Sequence, residues 1–241
     1  MNKPGLDAIT NVLFVDDDED IRFVAVRALE ATSSWKVKAC PSGEAALISA
    51  EQSTPDLVLL DVMMPGLDGV ATMRKLRESG CRAAIIMMTA RRGEQEHEEY
   101  RAAGALGVIT KPFDPVSLVQ TVLGVVASTQ NSPESPVQAA SAASGGSKES
   151  LSARYLKSLA TRMGSLDALF AEPVATEEAR AEALKLAHNL VGSAATFGFP
   201  SLTGVAVRLE ESLLAGGGEA EWGTTTDCYS DLVRAVVALE T

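Results

Sequence analysis

Carboxylates cluster directly after an apolar segment near the start of the chain. The stretch "NVLFV", residues 11–15, has the composition of a buried strand, and five acidic residues follow it without interruption. A row of like charges is usually a solvated loop, which accounts for residues 18–20. Asp16 and Asp17 adjoin the end of the apolar segment, where carboxylates need a compensating charge. A hard divalent cation commonly supplies that charge, so these two residues are candidate metal ligands.

Three more polar residues follow apolar segments further along the chain. Asp61 comes after "DLVLL", Thr89 after "AAIIMM" and Lys111 after "LGVIT". If these segments are parallel strands of one sheet, their carboxyl ends meet at a common edge, where such sheets hold their ligands. The sequence therefore predicts that Asp61, Thr89 and Lys111 lie beside Asp16 and Asp17.

The residue types at this edge indicate phosphoryl transfer. Three carboxylates packed together raise one another's pKa unless a cation is present, and Mg²⁺ prefers a few carboxylates with waters and a phosphate oxygen. The lysine adds a point charge for an anion, and the threonine adds a hydroxyl donor. Because positioning and charge neutralisation supply most of the rate in phosphoryl transfer, we expect Asp61 to be a nucleophile that forms an aspartyl phosphate.

A sheet that positions these residues is predicted for the first half of the chain. Five apolar β-type segments alternate with five segments of helical periodicity, which predicts an α/β domain with a doubly wound five-stranded parallel sheet. The expected helices cover residues 21–31, 43–50, 69–79, 94–103 and 115–127.

The composition changes over residues 129–147, "TQNSPESPVQAASAASGGS", where Ser, Ala, Pro and Gly dominate. Such a stretch is typical of a flexible linker. Beyond it no strand pattern occurs, and helical periodicity covers about 149–163, 176–196, 201–214 and 222–239. We therefore expect the second domain to be all-α, an antiparallel four-helix bundle.

Composition narrows the classes of partner and compartment. The chain has 241 residues, a net charge of -11 and no basic stripe, so we expect neither nucleic acid nor an anionic membrane surface as a partner. No apolar run is long enough to insert into a bilayer, and the first residues lack the apolar core of a signal peptide. Cys40, Cys81 and Cys228 follow no pairing pattern and are expected to be free thiols in the cytoplasm.

The stretch "LAHNLVGSAATFGF" carries a second candidate residue on the second bundle helix. Leu190 belongs to the apolar stripe of this helix, and His188 lies about 200° away from it, so we expect His188 to point to solvent. Gly192, four residues after His188, lies on the same face. A glycine there lets a partner approach the imidazole closely. The other histidine, His97, has charged neighbours and is assigned no role.

Residues 11–127 resemble a response-regulator receiver domain. The motifs "VLFVDDD", "DLVLLDVMMPGLDG", "IIMMTA" and "GALGVITKPF" occur in the family's order and spacing. The resemblance implies a flavodoxin-like fold in which Asp17 and Asp61 hold Mg²⁺, Asp16 assists through water, and the carbonyl of Met63 is a further ligand.

The same resemblance implies that Asp61 accepts phosphate and that Thr89 and Lys111 contact it. In many members of the family the hydroxyl at the position of Thr89 turns inward to the phosphoryl group. An aromatic side chain three residues before the lysine follows that movement. Val108 occupies this position here. This chain therefore departs from the family pattern in how its phosphorylation state is reported.

The motif "HNLVGSA", with Gly198 ten residues after the histidine, resembles a histidine phosphotransfer domain, as does "VRLEESLLAG" on the next helix. The resemblance implies that His188 carries a phosphoryl group on a ring nitrogen. A lysine commonly lies three residues after this histidine, and Val191 replaces it. Leu184 and Val191 flank His188, and they either widen the apolar core stripe or form an apolar docking patch for a receiver.

These features predict a cytoplasmic phosphorelay protein with a receiver domain at 1–128, a flexible linker at 129–148 and a phosphotransfer bundle at 149–241. Its expected partners are a sensor histidine kinase and other receiver or phosphotransfer proteins. It would be a phosphotransfer intermediate without ATP-dependent kinase activity of its own.

Two alternatives stay open. The bundle could be a docking module, controlled by the receiver, in which His188 carries no phosphate. The sheet could also belong to a phosphohydrolase that forms an aspartyl phosphate. Such enzymes commonly have an acid two residues after the nucleophile, where this chain has Met63.

Overall fold

A computed structural model describes residues 9–91, 93–128, 148–171, 176–215 and 219–239. The chain divides into two compact units, residues 1–141 and 142–241, which are described separately. Nearly all of the predicted linker lies outside the described residues.

The first unit alternates strands and helices as the sequence predicts. The strands are β1 (Asn11–Val15), β2 (Lys36–Cys40), β3 (Leu57–Asp61), β4 (Ala84–Thr89) and β5 (Gly107–Thr110). The helices are α1 (Glu19–Thr32), α2 (Gly43–Ser53), α3 (Gly69–Glu78), α4 (Glu94–Ala102) and α5 (Leu118–Ser128).

The five strands form one parallel sheet in the order β2-β1-β3-β4-β5. This order is that of flavodoxin-like doubly wound sheets, which confirms the predicted fold. Every residue of β3 and β4 is buried, because helices cover both faces of the sheet. The order reverses beside β1, so the carboxyl ends of β1 and β3 border the crevice where such sheets bind ligands.

Short polar residues start the helices that flank this crevice. The Asp18 side chain accepts hydrogen bonds from the backbone N–H groups of Asp20 and Ile21 at the start of α1. The Asp68 side chain accepts from Ala71 at the start of α3. Such caps satisfy donors that the first helical turn leaves unpaired. Asp18 and Asp68 are therefore explained by local structure.

The second unit is helical over its described residues. Its helices are α6 (Lys148–Phe170), α7 (Glu177–Ser193), α8 (Pro200–Ala215) and α9 (Glu219–Val237). Two contacts between α7 and α8 show that these helices run in opposite directions. Arg180 reaches Leu213 while His188 reaches Glu210. Helices α7 and α8 are thus antiparallel neighbours, as expected in an antiparallel four-helix bundle.

The first bundle helix extends further than predicted. The sequence favoured an end at Met163, just before a glycine, whereas α6 continues to Phe170. A glycine inside a helix costs only about 1 kcal/mol. Packing of the following turn offsets that cost, because Leu166 is fully buried and Phe170 stacks on Trp222 at 4.8 Å. No helix in the described parts of the chain combines the length and apolar character needed to cross a membrane.

Candidate functional site

Polar side chains from four strand ends meet at the carboxyl edge of the sheet. The Asp16, Asp61 and Thr89 side chains are fully buried and Lys111 is 3% exposed, whereas Asp17 is half-buried. Buried ionisable groups in this number need one another or a cation.

Lys111 joins two of the carboxylates. Its Nζ lies 2.7 Å from Asp16 Oδ2 and 2.9 Å from Asp61 Oδ2. Both carboxylates favour the ammonium form and raise the pKa of Lys111, although burial opposes them. Lys111 therefore stays charged inside the unit and fixes the ends of β1, β3 and β5 relative to one another.

Asp16 is held from several directions. Its N–H donates to the Cys40 carbonyl, and its own carbonyl accepts a hydrogen bond from Arg22 at 2.6 Å. Burial raises the pKa of the Asp16 carboxyl to about 8, with the charges of Asp61 and Asp18 adding to the effect and Lys111 opposing it. A divalent cation would stabilise the ionised form of this buried carboxyl.

The backbone around Asp61 is tightly packed. The N–H of Met63 lies 3.4 Å from Asp61 Oδ1, and Gly69 N–H donates to the Val62 carbonyl at 2.9 Å. A Cβ on Gly69 would lie 2.1 Å from the Asp61 carbonyl oxygen, so a larger residue would displace the strand end. The absence of a side chain at Gly69 therefore makes room for the Asp61 backbone.

The carboxylates fit a hard cation. Asp16, Asp17 and Asp61 each offer an oxygen, and these oxygens lie within 4.8 Å of one another. With all three carboxylates ionised and Lys111 counted, the group would carry two negative charges, which one divalent ion would neutralise. Carboxylate oxygens in such a cluster are the ligands that Mg²⁺ prefers.

Thr89 is buried at the same edge, but its hydroxyl is engaged with the loop after β4. Its Oγ1 accepts a hydrogen bond from Arg91 N–H at 3.1 Å. Val108, at the position where the family pattern has an aromatic residue, is half-buried and packs against the core.

The prediction that His188 points to solvent is wrong. Its side chain is 2% exposed, and its Nδ1 lies 2.7 Å from Glu210 Oε1 on α8. The helical-wheel argument assigned α7 a single buried stripe. In the bundle α7 packs against both α6 and α8, so a second face is buried too. Nε2 of His188 is buried and has no hydrogen-bond partner among the described residues.

Glu210 is a site residue that sequence reasoning missed. It lies within the apolar repeat formed by Ala206, Leu209 and Leu213, and it is 8% exposed. A glutamate at a core position is rarely buried unless it is paired, so its place in that repeat is the signal that could have found it. Its carboxylate accepts the Nδ1 proton, which leaves Nε2 as the nitrogen with a free lone pair.

The residues around His188 also differ from the expectation of an open surface. Val191 is 4% exposed and belongs to the bundle core, and Gly192 is buried. Leu184 is half-buried. The two residues therefore do not form an exposed apolar patch on both sides of the histidine, because of this pair only Leu184 retains accessible surface.

The sequence matches the profiles of two protein families. Residues 12–123 match the response regulator receiver domain, and residues 150–239 match the Hpt domain. The two matched ranges correspond to the two compact units.

Similar proteins include CseB, a transcriptional regulatory protein of Streptomyces coelicolor, which is 41% identical over 117 residues. PhoP, the alkaline phosphatase synthesis transcriptional regulatory protein of Bacillus subtilis, is 39% identical over 104 residues. These matches cover 48% and 43% of this chain and 49% and 43% of the relatives, so the chain spans about half the length of each. The solved Vibrio cholerae chemotaxis protein CheY4 is 30% identical, with a TM-score of 0.46, over 49% of this chain and 99% of its own.

Proposed function

We propose that Asp61 and His188 both carry phosphoryl groups. The premise is that this chain is a response regulator receiver domain followed by an Hpt domain, and that it belongs to two-component phosphorelay signalling. Asp61 would receive its group from a phosphohistidine on another protein. His188 would exchange a phosphoryl group with a receiver aspartate. The chain would act as an intermediate that takes phosphate from a partner and passes it on.

At the sheet edge, the Asp61 carboxylate oxygen attacks phosphorus. The phosphorus–nitrogen bond to the donor histidine breaks, and its electron pair returns to the imidazole, which takes up a proton. Asp16, Asp17 and Asp61 would hold Mg²⁺, with the Met63 carbonyl as a further ligand, and the ion would neutralise charge on the transferring oxygens. Lys111 adds a fixed positive charge, and the Thr89 hydroxyl is a donor that can turn toward the phosphoryl group.

On the bundle, Nε2 of His188 attacks the phosphorus of an aspartyl phosphate, and the carboxylate departs with the electrons of the phosphorus–oxygen bond. Glu210 orients the ring and accepts its Nδ1 proton at 2.7 Å, so it stabilises the positive charge that develops on the imidazole. Because Nε2 is buried, this transfer requires local movement of the groups that cover the ring.

The observation that carries the proposal is the contact of Lys111 with both Asp16 and Asp61 inside a buried carboxylate cluster. Such a cluster costs stability unless it binds a cation, and its remaining charge suits one divalent ion. A sensor histidine kinase and other receiver or phosphotransfer proteins are the proposed partners. The three free cysteines support a cytoplasmic location.

Radiolabel tracking in the full chain tests the proposal. The chain and its Asp61→Asn and His188→Gln variants are incubated with acetyl phosphate and, separately, with phosphorylated Hpt and receiver partners, with Mg²⁺ or EDTA. We expect acid-stable, base-labile label on Asp61 only with Mg²⁺, and base-stable label on His188 from a phosphorylated receiver.

Each arm has a decisive negative outcome. Label on the Asp61→Asn variant from acetyl phosphate, at the level and acid stability of the parent chain, would contradict the assignment of Asp61. If His188 never acquires label while His188→Ala chains keep full signalling, the bundle is a docking module. Matched variants at His97, the other histidine, control for loss of a histidine elsewhere in the chain.

A further inference from the structure

The loop from β3 to α3, residues 62–68, carries the carbonyl of Met63, the proposed further ligand of Mg²⁺. The two ends of this loop are joined to each other and to the sheet. Gly69 N–H donates to the Val62 carbonyl at 2.9 Å, and Val62 N–H donates to the Met88 carbonyl on β4 at 2.9 Å. The path of the Met63 carbonyl therefore depends on what holds the rest of the loop.

A threonine of α3 holds the end of the loop. Thr72 is fully buried, and its Oγ1 lies 2.7 Å from the Asp68 carbonyl oxygen and 3.3 Å from that of Leu67. A hydroxyl has one proton to donate, so the two carbonyls share it. The bond to Asp68 spans one helical turn, whereas the contact with Leu67 ties the helix to the loop that precedes it.

The start of α2 packs against the same contact. A Cβ on Gly43 would lie 2.1 Å from Thr72 Oγ1 and 2.8 Å from the Leu67 carbonyl oxygen. That carbonyl belongs to the backbone, so it cannot turn away without moving the loop. The next residue of α2 lies near the middle of the loop, since a Cβ on Gly66 would be 3.4 Å from Glu44 Oε1. Helix α2 is thus one wall of the loop that follows Asp61.

We infer that Gly43 and Thr72 determine the selectivity of the carboxylate site for Mg²⁺ over Ca²⁺, because they fix the loop that carries the Met63 carbonyl. The inference rests on the proposed function, since it takes Met63 as a ligand of the ion at Asp61. Gly43 and Thr72 are positioning residues, which act on the ion through the loop.

The two cations differ in how strictly they place their ligands. Mg²⁺ requires near-ideal octahedral geometry with oxygens at about 2.0–2.1 Å, whereas Ca²⁺ accepts flexible geometry with oxygens at about 2.3–2.6 Å. Carboxylates suit both ions, so Asp16, Asp17 and Asp61 alone do not discriminate between them. A carbonyl on a loop held from two sides favours the smaller and stricter ion, and a loosened loop gives up that preference.

Thr72→Val tests the contact with the least change in shape, because it removes the hydroxyl and keeps the branched side chain. One hydrogen bond is worth about a fivefold change in an equilibrium constant, so we expect Mg²⁺ affinity to fall about fivefold while Ca²⁺ affinity changes little. Thr72→Ser keeps the hydroxyl and should keep the parent selectivity. Thr121→Val on α5 is the matched control, since Thr121 Oγ1 donates to the Ser117 carbonyl at 3.1 Å, within a helix remote in sequence from this loop.

Gly43→Ala tests the wall that α2 provides. The added methyl group should displace the Leu67 carbonyl and lower the ratio of Mg²⁺ to Ca²⁺ affinity in the same direction as Thr72→Val. Gly124→Ala on α5 is the matched control, because a Cβ there would meet nothing within 4 Å. An unchanged ratio in a folded Gly43→Ala chain would overturn the role of α2. If Gly43→Ala does not fold, Thr72→Val still decides the inference.

Electron paramagnetic resonance of free Mn²⁺ measures these affinities in the full chain, with Mg²⁺ or Ca²⁺ added as competitor. Asp17→Asn identifies the part of Mn²⁺ binding that belongs to the carboxylate site. Equal ratios of Mg²⁺ to Ca²⁺ affinity in Thr72→Val and Thr121→Val would overturn the inference. So would a loss of both affinities by the same factor in Thr72→Val, which is the result expected of a purely structural role. Mn²⁺ binding by the parent chain no stronger than that of Asp17→Asn would instead contradict the proposed metal site.

Discussion

At the sheet edge, the proposed acceptor Asp61 meets a lysine contributed by a different strand, whereas on the bundle His188 meets a glutamate from the next helix. Lys111 Nζ lies within 3 Å of oxygens on both Asp16 and Asp61. Glu210 Oε1 lies 2.7 Å from Nδ1 of His188. The first arrangement places a cation beside a nucleophile, and the second places an anion behind one.

The difference follows from the charge of each nucleophile. Asp61 is an anion that must accept a second anion, so its surroundings supply positive charge. His188 is neutral when its Nε2 lone pair attacks and becomes positive as the bond forms, so its surroundings supply negative charge. Each arrangement is therefore complementary to the charge that appears during transfer, and each can be broken by removing one side chain.

The largest effect is expected for Lys111→Met. The change leaves the buried Asp16 and Asp61 carboxylates without their cation, and loss of one partner of a buried pair typically costs about 3–5 kcal/mol. The free energy of unfolding of the first unit should fall by that order without Mg²⁺. Millimolar Mg²⁺ should recover part of the loss, because it neutralises the same oxygens.

The chain allows this loss to be assigned to one unit. Its two tryptophans, Trp35 and Trp222, lie in different units. Urea unfolding on a Trp222→Phe background, followed by fluorescence, reports on the sheet alone. Lys75→Met, at an exposed lysine of α3, is the matched control. A loss no larger than that of Lys75→Met would mean that the buried ion pairs do not hold the edge together.

Removal of the glutamate behind His188 should have the next largest effect. Glu210→Ala leaves the buried Nδ1–H of His188 without its acceptor, which costs about 1–3 kcal/mol in the unfolding of the second unit. Phosphoryl transfer to His188 should slow by at least tenfold, because the positive charge on the ring loses its partner.

Glu210→Gln separates orientation from charge. Its amide oxygen can still accept the Nδ1 proton, so stability should be mostly restored while transfer stays slow. Glu211→Ala, at the exposed neighbouring glutamate, controls for helix propensity. Parent rates of transfer in Glu210→Ala chains would show that Glu210 has a structural role only.

The residues that meet at the sheet edge could be predicted from the sequence, whereas the surroundings of His188 could not. The difference has a physical reason. Side chains at the ends of parallel strands share an edge whatever the details of packing, so Asp61 and Lys111 could be placed together from strand order alone. Their distances and burial could not, since these depend on the register of β1, β3 and β5. The close approach of the Asp61 backbone to Gly69 likewise follows only from the folded loop.

A helical wheel gives the direction of a side chain but not the number of neighbours that the helix has. His188 lies opposite Leu190 on α7, and it is buried because α8 covers that face as well. Glu210 could be found only by asking why a glutamate occurs within an apolar repeat.

A pH dependence distinguishes the two units. The pKa of Asp16 is raised from 3.8 to about 8 in the folded chain without metal. Between pH 4 and 8 the folded state therefore keeps a proton that the unfolded state has released. Stability of the first unit should fall as pH rises through this window, by up to about 1.4 kcal/mol per pH unit.

Urea unfolding of the Trp222→Phe chain at pH 5, 6 and 7 measures this slope. Mg²⁺ should flatten it, because the ion favours the ionised carboxyl, and Asp16→Asn should remove the contribution in EDTA. The same slope in Asp16→Asn chains would assign the pH dependence to other carboxylates.

We expect substitution of Leu184 to have the smallest effect on stability and a selective effect on phosphoryl transfer. This residue lies four positions before His188 and is half-buried, whereas its predicted companion Val191 is in the core. Leu184→Asp should change the unfolding free energy by less than about 1 kcal/mol, since only part of the side chain leaves water. If Leu184 is the apolar surface on which a receiver docks, the variant should lower the rate of transfer between His188 and a phosphorylated receiver. Leu156→Asp, at an exposed leucine of α6, is the matched control. Equal transfer rates in the two variants would mean that Leu184 only borders the core, and that the receiver reaches His188 over another face of the bundle.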